Sequence, residues 1–208
     1  MLDIYDARGC HVGVKERAAV HRDGDWHRVF HCWVVWRDEF GVDQVLFQRR
    51  GAHKPTFPLF LAVTVGGHYS AGETPEDGLR EMREELGFAP PFSALVACGQ
   101  KRIDARWNGL VDRELADTFV YLSERPPAPY PVMRPEIANL VAIAVDGGLE
   151  LFRGERNRLD AQSPSGPCVV GLSDFVPQHE AMFTDALLLC RRVLNGERDV
   201  KAQLEKQT

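Results

Sequence analysis

Hydrophobic residues fall into short runs separated by glycine, proline and charged residues, a pattern typical of a sheet-rich fold. Residues 2–14 form two such runs around Ala7-Arg8-Gly9 and predict an N-terminal β-hairpin. Residues 28–36 and 44–48 are rich in β-branched, aromatic and aliphatic side chains, and turn-forming residues 37–41 separate them. This first part of the chain therefore predicts two hairpins.

The next apolar run, residues 59–65, is short enough to be a buried strand that leads into a loop at Gly66-Gly67. Thr74 can cap the N-terminus of a helix after that loop. Pro75 suits the first helical position, because the N–H group that proline lacks has no partner there. The pattern thus predicts a strand, a glycine-rich loop and a short helix.

Strands are also predicted further along the chain, at residues 92–100, 115–122 and 140–145. Residues 102–114 are polar and predict a loop between the first two. Five prolines lie between residues 126 and 135, and they predict an extended connection without regular structure.

The C-terminal third has a weaker pattern. Residues 159–171 contain proline, serine and glycine and predict a surface loop or an insertion. Residues 179–194 carry apolar side chains at helical spacing before Gly196, which predicts a helix packed on the core or, alternatively, in a dimer contact. Polar residues 199–208 predict a frayed end.

Composition narrows the class of protein. The chain has 208 residues, 44% hydrophobic and 26% charged, with a net charge of −5, as in an ordinary soluble domain. The acidic excess makes a nucleic-acid partner unlikely. We expect a cytoplasmic protein without a signal peptide or a membrane span. The five cysteines contain no Cys-x-x-Cys pair and predict free thiols.

Candidate chemistry lies on the predicted helix after the glycine-rich loop. Glu81, Glu84 and Glu85 fall at i, i+3 and i+4, so their carboxylates share one helical face. Like charges this close repel, and clustered oxygen donors suit Mg²⁺ or Mn²⁺. On composition alone, the run is also typical of a solvated helix face. The opposite face carries the apolar side chains of Leu79, Met82 and Leu86.

The spacing of these residues resembles the Nudix box of the MutT-like pyrophosphohydrolases. In that motif a glycine, five residues and a glutamate precede a seven-residue spacer and Arg-Glu-aliphatic-x-Glu-Glu-x-Gly-aliphatic. Gly67 and Glu73 match its first part, and residues 80–88 match its last. The spacer between Glu73 and Arg80 has six residues instead of seven. We expect the loop before the helix to absorb the difference, which affects Glu73 and leaves the helical glutamates in place.

The resemblance implies an α/β fold, the Nudix α/β/α sandwich with a mixed β-sheet, here with an N-terminal β-hairpin and an added C-terminal helix. It implies one domain over residues 1–208. Residues 1–27 would be an N-terminal β extension, 28–150 the core with the box at 67–88, and 151–208 a C-terminal loop and helix.

The resemblance also implies site residues. Glu84 and Glu85 would be the primary metal ligands, and Glu81 a further ligand or the catalytic base. Arg80 would orient a glutamate, and Gly67 would offer its carbonyl. Further candidates for the metal are Glu114, before one predicted strand, and Glu136, after the proline-rich connection.

Four more residues are candidates for substrate binding. Arg49 and Arg22 can hold phosphate, since guanidinium groups match its oxygens, and His27 can do the same. Trp107, in a predicted loop, can stack on a base or a ring. His31 and His68 are interpreted as structural or rim residues.

The N-terminal 145 residues resemble the Nudix branch of isopentenyl-diphosphate isomerase. Those isomerases carry a catalytic cysteine immediately before a Gly-His pair, where this chain has Gly66. Loss of that acid/base group disfavours isomerisation. The leading hypothesis is Mg²⁺-dependent hydrolysis of a diphosphate linkage in a nucleoside diphosphate joined to a moiety X, or in a related organic diphosphate. The alternatives are a non-catalytic nucleotide-binding module and, third, the isomerase. Many relatives are dimers, so a homodimer is possible.

Overall fold

A computed structural model describes residues 1–124, 136–177 and 179–200 of the chain. They form one mixed sheet with helices on both faces. The strands are β1 (Leu2–Tyr5), β2 (His11–Lys15), β3 (Trp26–Arg37), β4 (Asp43–Arg50), β5 (Leu61–Ala62), β6 (Val65–His68), β7 (Leu95–Trp107), β8 (Leu110–Leu122), β9 (Ile137–Ala144), β10 (Leu159–Ser163) and β11 (Gly166–Val170). The α-helices are α1 (Arg17–Asp23), α2 (Leu79–Leu86), α3 (Val145–Phe152) and α4 (Glu180–Leu194).

Strand β3 is the centre of the sheet. It pairs in parallel with β8 along one edge. Along its other edge it pairs antiparallel with β6 through residues 29–32 and with β4 through residues 34–37. The sheet therefore forks where β4 and β6 separate. Buried Thr64 lies at this fork, where its hydroxyl accepts a hydrogen bond from the Val34 N–H at 3.1 Å and donates one to the Leu46 carbonyl.

Alternating side chains of β3 enter two separate cores, as expected for a strand buried on both faces. Phe30 and Val34 pack in one core with the apolar face of α2. Trp33 and Val35 pack in the other core with residues of α3 and α4, such as Phe183. The sheet is thus covered by helices on both faces, and the predicted α/β/α sandwich is confirmed.

Several predicted elements are confirmed directly. The first hairpin consists of β1 and β2, and the second of β3 and β4. Helix α4 occupies the predicted C-terminal helix and packs in the core. The predictions for residues 126–135 and 201–208 concern parts of the chain outside the described residues. No helix among the described residues is long and apolar enough to cross a membrane.

The prediction of a loop at residues 102–114 is wrong. Strands β7 and β8 continue through this segment as one long antiparallel hairpin. The hairpin turns at Asn108 and Gly109, both with positive φ (49° and 84°). Asn-Gly is a strong signal for such a turn, whereas the polar side chains on either side obscured the strands.

The strand predicted at residues 59–65 is also wrong in its bounds. It is divided into β5 and β6, and Gly66 and Gly67 belong to β6 and not to a loop. Phe57 and Leu59, just before β5, have positive φ (48° and 66°), so the chain turns sharply there.

Three further differences concern the ends of elements and the C-terminal region. Helix α2 begins at Leu79, and Thr74 is not its N-cap as predicted. Thr74 starts a turn in which its N–H and hydroxyl donate to Asp77. Residues 159–171, predicted as a loop, form the β10–β11 hairpin that extends the sheet from β9. The sequence pattern does not predict helices α1 and α3.

Candidate active site

Helix α2 presents the predicted carboxylates beside β6. Leu79, Met82 and Leu86 are buried and hold the helix against the sheet. The helix ends at Gly87, whose φ of 75° gives the left-handed cap that glycine favours. Glu81 and Glu85 are themselves buried, at 7% and 3% exposure. A solvated helix face therefore does not describe this run.

Arg80 lies among three of the acidic side chains. Its guanidinium is 2.8 Å from Glu81, 3.2 Å from Glu84 and 3.4 Å from Glu73. Glu73 also accepts a hydrogen bond from the Ser70 N–H at 2.8 Å. The turns before α2 thus absorb the short spacer, and Glu73 still reaches the arginine. Arg80 offsets the repulsion between the carboxylates.

Glu85 is the most deeply buried of these carboxylates. It accepts hydrogen bonds from the Gln48 side chain and the Gly66 N–H, each at 3.3 Å. Burial, followed by the charge of Glu81, raises the pKa of Glu85 to about 8. A nearby cation would restore the charged form of this side chain.

The glycine at position 67 leaves room for Glu81. A Cβ atom built on Gly67 would overlap the Glu81 carboxylate group, so any side chain at this position must displace it. The close approach of β6 to α2 therefore requires glycine here.

Gly67, Arg80 and Glu81 line a cavity of about 1120 Å³, whereas Glu84 and Glu85 are not among its lining residues. Its walls include Arg80 and Glu81 from α2, Arg50 and Lys54 from β4 and the loop after it, and Glu114 and Glu136. Lys54 and Glu136 form an ion pair at 2.5 Å. The cavity thus combines acidic groups with cations that suit phosphate oxygens.

A second set of potential metal-ligand side chains lies beside the same cavity, and all of them except His27 line it. His21 from α1, His27 from β3 and His68 from β6 have ligand atoms within 4.8 Å of one another. Nε2 of His21 is 3.1 Å from Nε2 of His68. Asp112 Oδ1 lies 3.6 Å from Nε2 of both His21 and His27. Glu114 completes this group, which we call the histidine cluster, with ligand atoms of His27, Asp112 and Glu114 within 4.8 Å.

Hydrogen bonds fix the tautomers in this cluster. Nδ1 of His21 lies 2.8 Å from the Arg17 carbonyl, and Nδ1 of His27 lies 3.0 Å from the Asp25 carbonyl. Because a carbonyl only accepts, each Nδ1 carries the proton when the ring is neutral, and each Nε2 offers a lone pair. Burial lowers the pKa of His27 and favours this neutral form.

Two buried atoms of the cluster therefore face one another without a hydrogen bond. His27 Nε2 and Asp112 Oδ1 have no partner within the described part of the chain. Neither atom can donate to the other in this tautomer, so a bound cation, or a water molecule that donates to each, would satisfy both. Burial and the neighbouring Asp112 also raise the pKa of Glu114 to about 8.

Some predicted substrate contacts lie elsewhere. Arg49 is not among the residues that line the cavity, because its guanidinium donates to the Leu59 carbonyl at 2.9 Å and pairs with Asp174 at 3.4 Å. The adjacent Arg50 lines the cavity instead. Trp107 packs against Phe57 at 4.7 Å between ring centroids and does not line the cavity either.

The other predicted residues lie at or near the cavity. Arg22 lines its rim, pairs with Asp23 and is 72% exposed in its side chain. His27 is buried in the histidine cluster, where its ring stacks on His68 at 4.9 Å. His68, interpreted as a structural or rim residue, is half-buried and itself lines the cavity.

Sequence reasoning also missed Asp112, His21 and Lys54. Asp112 and Glu114 stand at i and i+2, which places them on one face of a strand, but the loop predicted there concealed this signal.

Comparisons with known proteins agree with this geometry. The NUDIX domain family model matches residues 25–151. An uncharacterised Nudix hydrolase of Clostridium acetobutylicum is 36% identical over 165 residues, which cover 79% of this chain and 78% of that protein. An isopentenyl-diphosphate Delta-isomerase of Streptomyces griseus is 33% identical over 133 residues, covering 63% of this chain and 66% of that protein.

The fold has a counterpart among solved structures. The crystal structure of DR0079 from Deinococcus radiodurans superposes with a TM-score of 0.55 at 18% identity, covering 92% of this chain and 99% of that one. The family model spans more than half of the 208 residues and includes the box on α2. The chain therefore belongs to the Nudix family and is a Nudix pyrophosphohydrolase.

Proposed function

We propose that this protein hydrolyses the diphosphate linkage of a nucleoside diphosphate joined to a moiety X, or of a related organic diphosphate, with Mg²⁺ or Mn²⁺ as its cofactor. The observation that carries this proposal is the meeting of acidic and basic groups in one cavity. Glu81 and Arg80 lie at one wall, and Arg50 and Lys54 lie at another. A diphosphate has the charge and the oxygen atoms to engage both.

The box carboxylates fit a hard divalent cation. Glu84 and Glu85 would hold it, with the Gly67 carbonyl as a further ligand. The raised pKa of Glu85 supports this assignment, because an uncompensated buried carboxylate otherwise favours its neutral form. When bound, such a cation lowers the pKa of a coordinated water and neutralises charge on phosphoryl oxygens.

The histidine cluster fits a second cation with a preference for nitrogen. Three imidazoles with two carboxylates suit Mn²⁺ or Zn²⁺ better than Mg²⁺, which favours oxygen ligands. Asp112 and Glu114 would be the carboxylate ligands. In this proposal Glu114 acts with the histidines, apart from the box, and Glu136 acts through its ion pair with Lys54.

The basic residues would bind and orient the substrate. Arg50 and Lys54 would hold phosphate oxygens in place of Arg49, whose guanidinium is already engaged outside the cavity lining. Arg50 is itself fixed by hydrogen bonds from its guanidinium to Thr56 at 3.0 Å. Arg80 would keep Glu81 and Glu84 in position, and Glu81 is our candidate for the group that takes the proton of the attacking water.

Isomerisation of a prenyl diphosphate is a second candidate, favoured by the 33% identity to the Streptomyces griseus isomerase. Gly66 argues against it, since glycine supplies no acid/base group before the Gly67-His68 pair. A module that binds nucleotides without cleaving them is disfavoured by the presence of all three box glutamates.

The test uses purified protein with Mg²⁺ and, separately, Mn²⁺. Nucleoside di- and triphosphates, dinucleotide coenzymes, nucleotide sugars and prenyl diphosphates are incubated with it, and phosphate release and product masses are followed. We expect cleavage of a diphosphate bond, and its loss in Glu84→Gln with the circular dichroism spectrum unchanged.

Exposed Glu76 offers a matched control, because Glu76→Gln removes a carboxylate from the turn before α2 and should leave turnover unchanged. Conversion of isopentenyl to dimethylallyl diphosphate without phosphate release would establish the isomerase. Binding without turnover for every compound would favour the module.

A further inference from the structure

Some imidazoles that line the cavity have no part in the hydrolysis proposed above. His31, on β3, and His179, immediately before α4, both line the cavity wall. We propose that His31 and His179 form a subsite that selects a moiety X with an uncharged hydrogen-bonding group, such as a hydroxyl or a ring nitrogen, over a hydrocarbon X. The proposal rests on the proposed function, because it names the class of X that this site accepts.

The surroundings of the two histidines are apolar. The cavity lining on this face of the sheet includes Val29, Val176, Met182 and Phe183. Such walls contribute binding energy to any X that excludes water, but they do not distinguish a hydrocarbon from a molecule of similar shape with one polar atom. Discrimination therefore depends on the polar atoms set into these walls.

His179 provides one such atom. Its Nε2 is buried and has no hydrogen-bond partner among the residues that the structure describes. The ring lies 6.0 Å from Phe57 and 6.1 Å from Phe183, measured between centroids. A polar atom enclosed by apolar groups favours a ligand that supplies the missing hydrogen bond and disfavours one that cannot.

His31 provides the second group, between His179 and the box. It pairs with Gly66 across β3 and β6, and a Cβ atom on Gly66 would lie only 3.6 Å from its Nε2. The same Nε2 is 3.7 Å from Glu114, beyond hydrogen-bond range. His31 is thus next to the residue whose N–H binds Glu85, and its side chain is 12% exposed.

The charge state of the His179 ring agrees with an uncharged partner. Burial lowers the pKa of His179, against the opposite effects of Glu180 and Asp112. The positive charge of Arg50 lowers it further. Neutral imidazole offers one donor and one acceptor, which matches a hydroxyl or a heterocyclic nitrogen.

The test measures binding without turnover, so that it does not depend on hydrolysis. The probes are the methylene-bridged analogues of dimethylallyl diphosphate and of its 4-hydroxy derivative, which differ by one hydroxyl and cannot be cleaved at the bridge. Calorimetry with Mg²⁺ should show that the wild-type protein binds the hydroxylated probe about tenfold more tightly or better.

His179→Phe keeps an aromatic ring of similar size and removes both polar atoms. We expect it to bring the two affinities within about threefold of one another, mainly by weakening the hydroxylated probe. His179→Gln retains a donor and an acceptor and should recover most of the preference. Met182→Leu changes an apolar lining residue of the same cavity and should leave the ratio unchanged.

Equal affinities in the wild-type protein, including no detectable binding of either probe, would overturn the proposal. So would an undiminished ratio in His179→Phe. Neither result bears on the Glu84→Gln test of turnover, and loss of the preference in His179→Phe would support the subsite even if the panel showed no hydrolysis.

Discussion

The carboxylate of Glu81 occupies the space in which a side chain of residue 67 would begin, and only glycine at that position allows it. This contact joins β6 to α2 at the point where the cavity opens. Gly67 therefore has a steric role in addition to the metal-binding role that we propose for its carbonyl. The position of the Glu81 carboxylate depends on the absence of a side chain at residue 67.

Gly67→Ala tests this relationship. The added methyl group must push the Glu81 carboxylate away from Arg80, so we expect hydrolysis to fall by about a hundredfold or more while the protein still folds. Turnover and the thermal unfolding midpoint check this. Gly66→Ala is the matched comparison, because the nearest neighbours of its methyl group would be the Val63 and His31 side chains, at 3.0 Å or more, so it should cost less activity. Equal losses in the two variants would contradict the steric role.

Glu85 predicts a pH-dependent cost in the metal-free protein. Its pKa is about 8 in the folded chain, against an ordinary value of 4.5. Below pH 4.5 the group is protonated in both the folded and unfolded states and contributes no difference. As the pH rises from 4.5 to about 8, the unfolded chain releases the proton first, so the folded state loses stability.

Glu85→Gln removes this ionisation and keeps an oxygen that can accept from Gln48 and Gly66. In EDTA we expect its unfolding midpoint to exceed that of wild type by several degrees near pH 9 and by little near pH 5. Melting curves across this range decide the point. A difference that does not change with pH would show that the Glu85 carboxyl is not the cause. Hydrolysis should be lost in this variant at every pH.

The sequence predicts the box well because its residues are contiguous. A single helix places Glu81, Glu84 and Glu85 on one side, and the helical period alone determines that arrangement. The alternation of apolar residues likewise predicts β3, whose two faces fill both cores. Neither inference requires knowledge of which strands are neighbours.

The histidine cluster could not be predicted in the same way. His21, His68 and Asp112 come from α1, β6 and β8, and they meet only because β3 pairs with both strands. In the β3–β8 register His27 stands opposite Glu114, and no local pattern specifies that register. For the β7–β8 hairpin the signal was present at Asn108-Gly109, but polar strands beside it resembled a loop.

The last prediction concerns the metal preference of that cluster. In protein freed of metal, Mn²⁺ or Zn²⁺ should raise the unfolding midpoint, since a cation that binds only the folded state stabilises it by about 2.7 kcal/mol at a hundred times its dissociation constant. His21→Gln removes one imidazole whose side chain is 20% exposed, so the fold should tolerate it while the shift falls by at least half. His11→Gln, at an exposed histidine outside the cluster, should keep the full shift. The Mg²⁺ response should be the same in all three proteins, because the box offers oxygen ligands and contains no histidine. If His21→Gln left the Mn²⁺ and Zn²⁺ shifts intact, the cluster would be a hydrogen-bonded group of side chains and not a metal site.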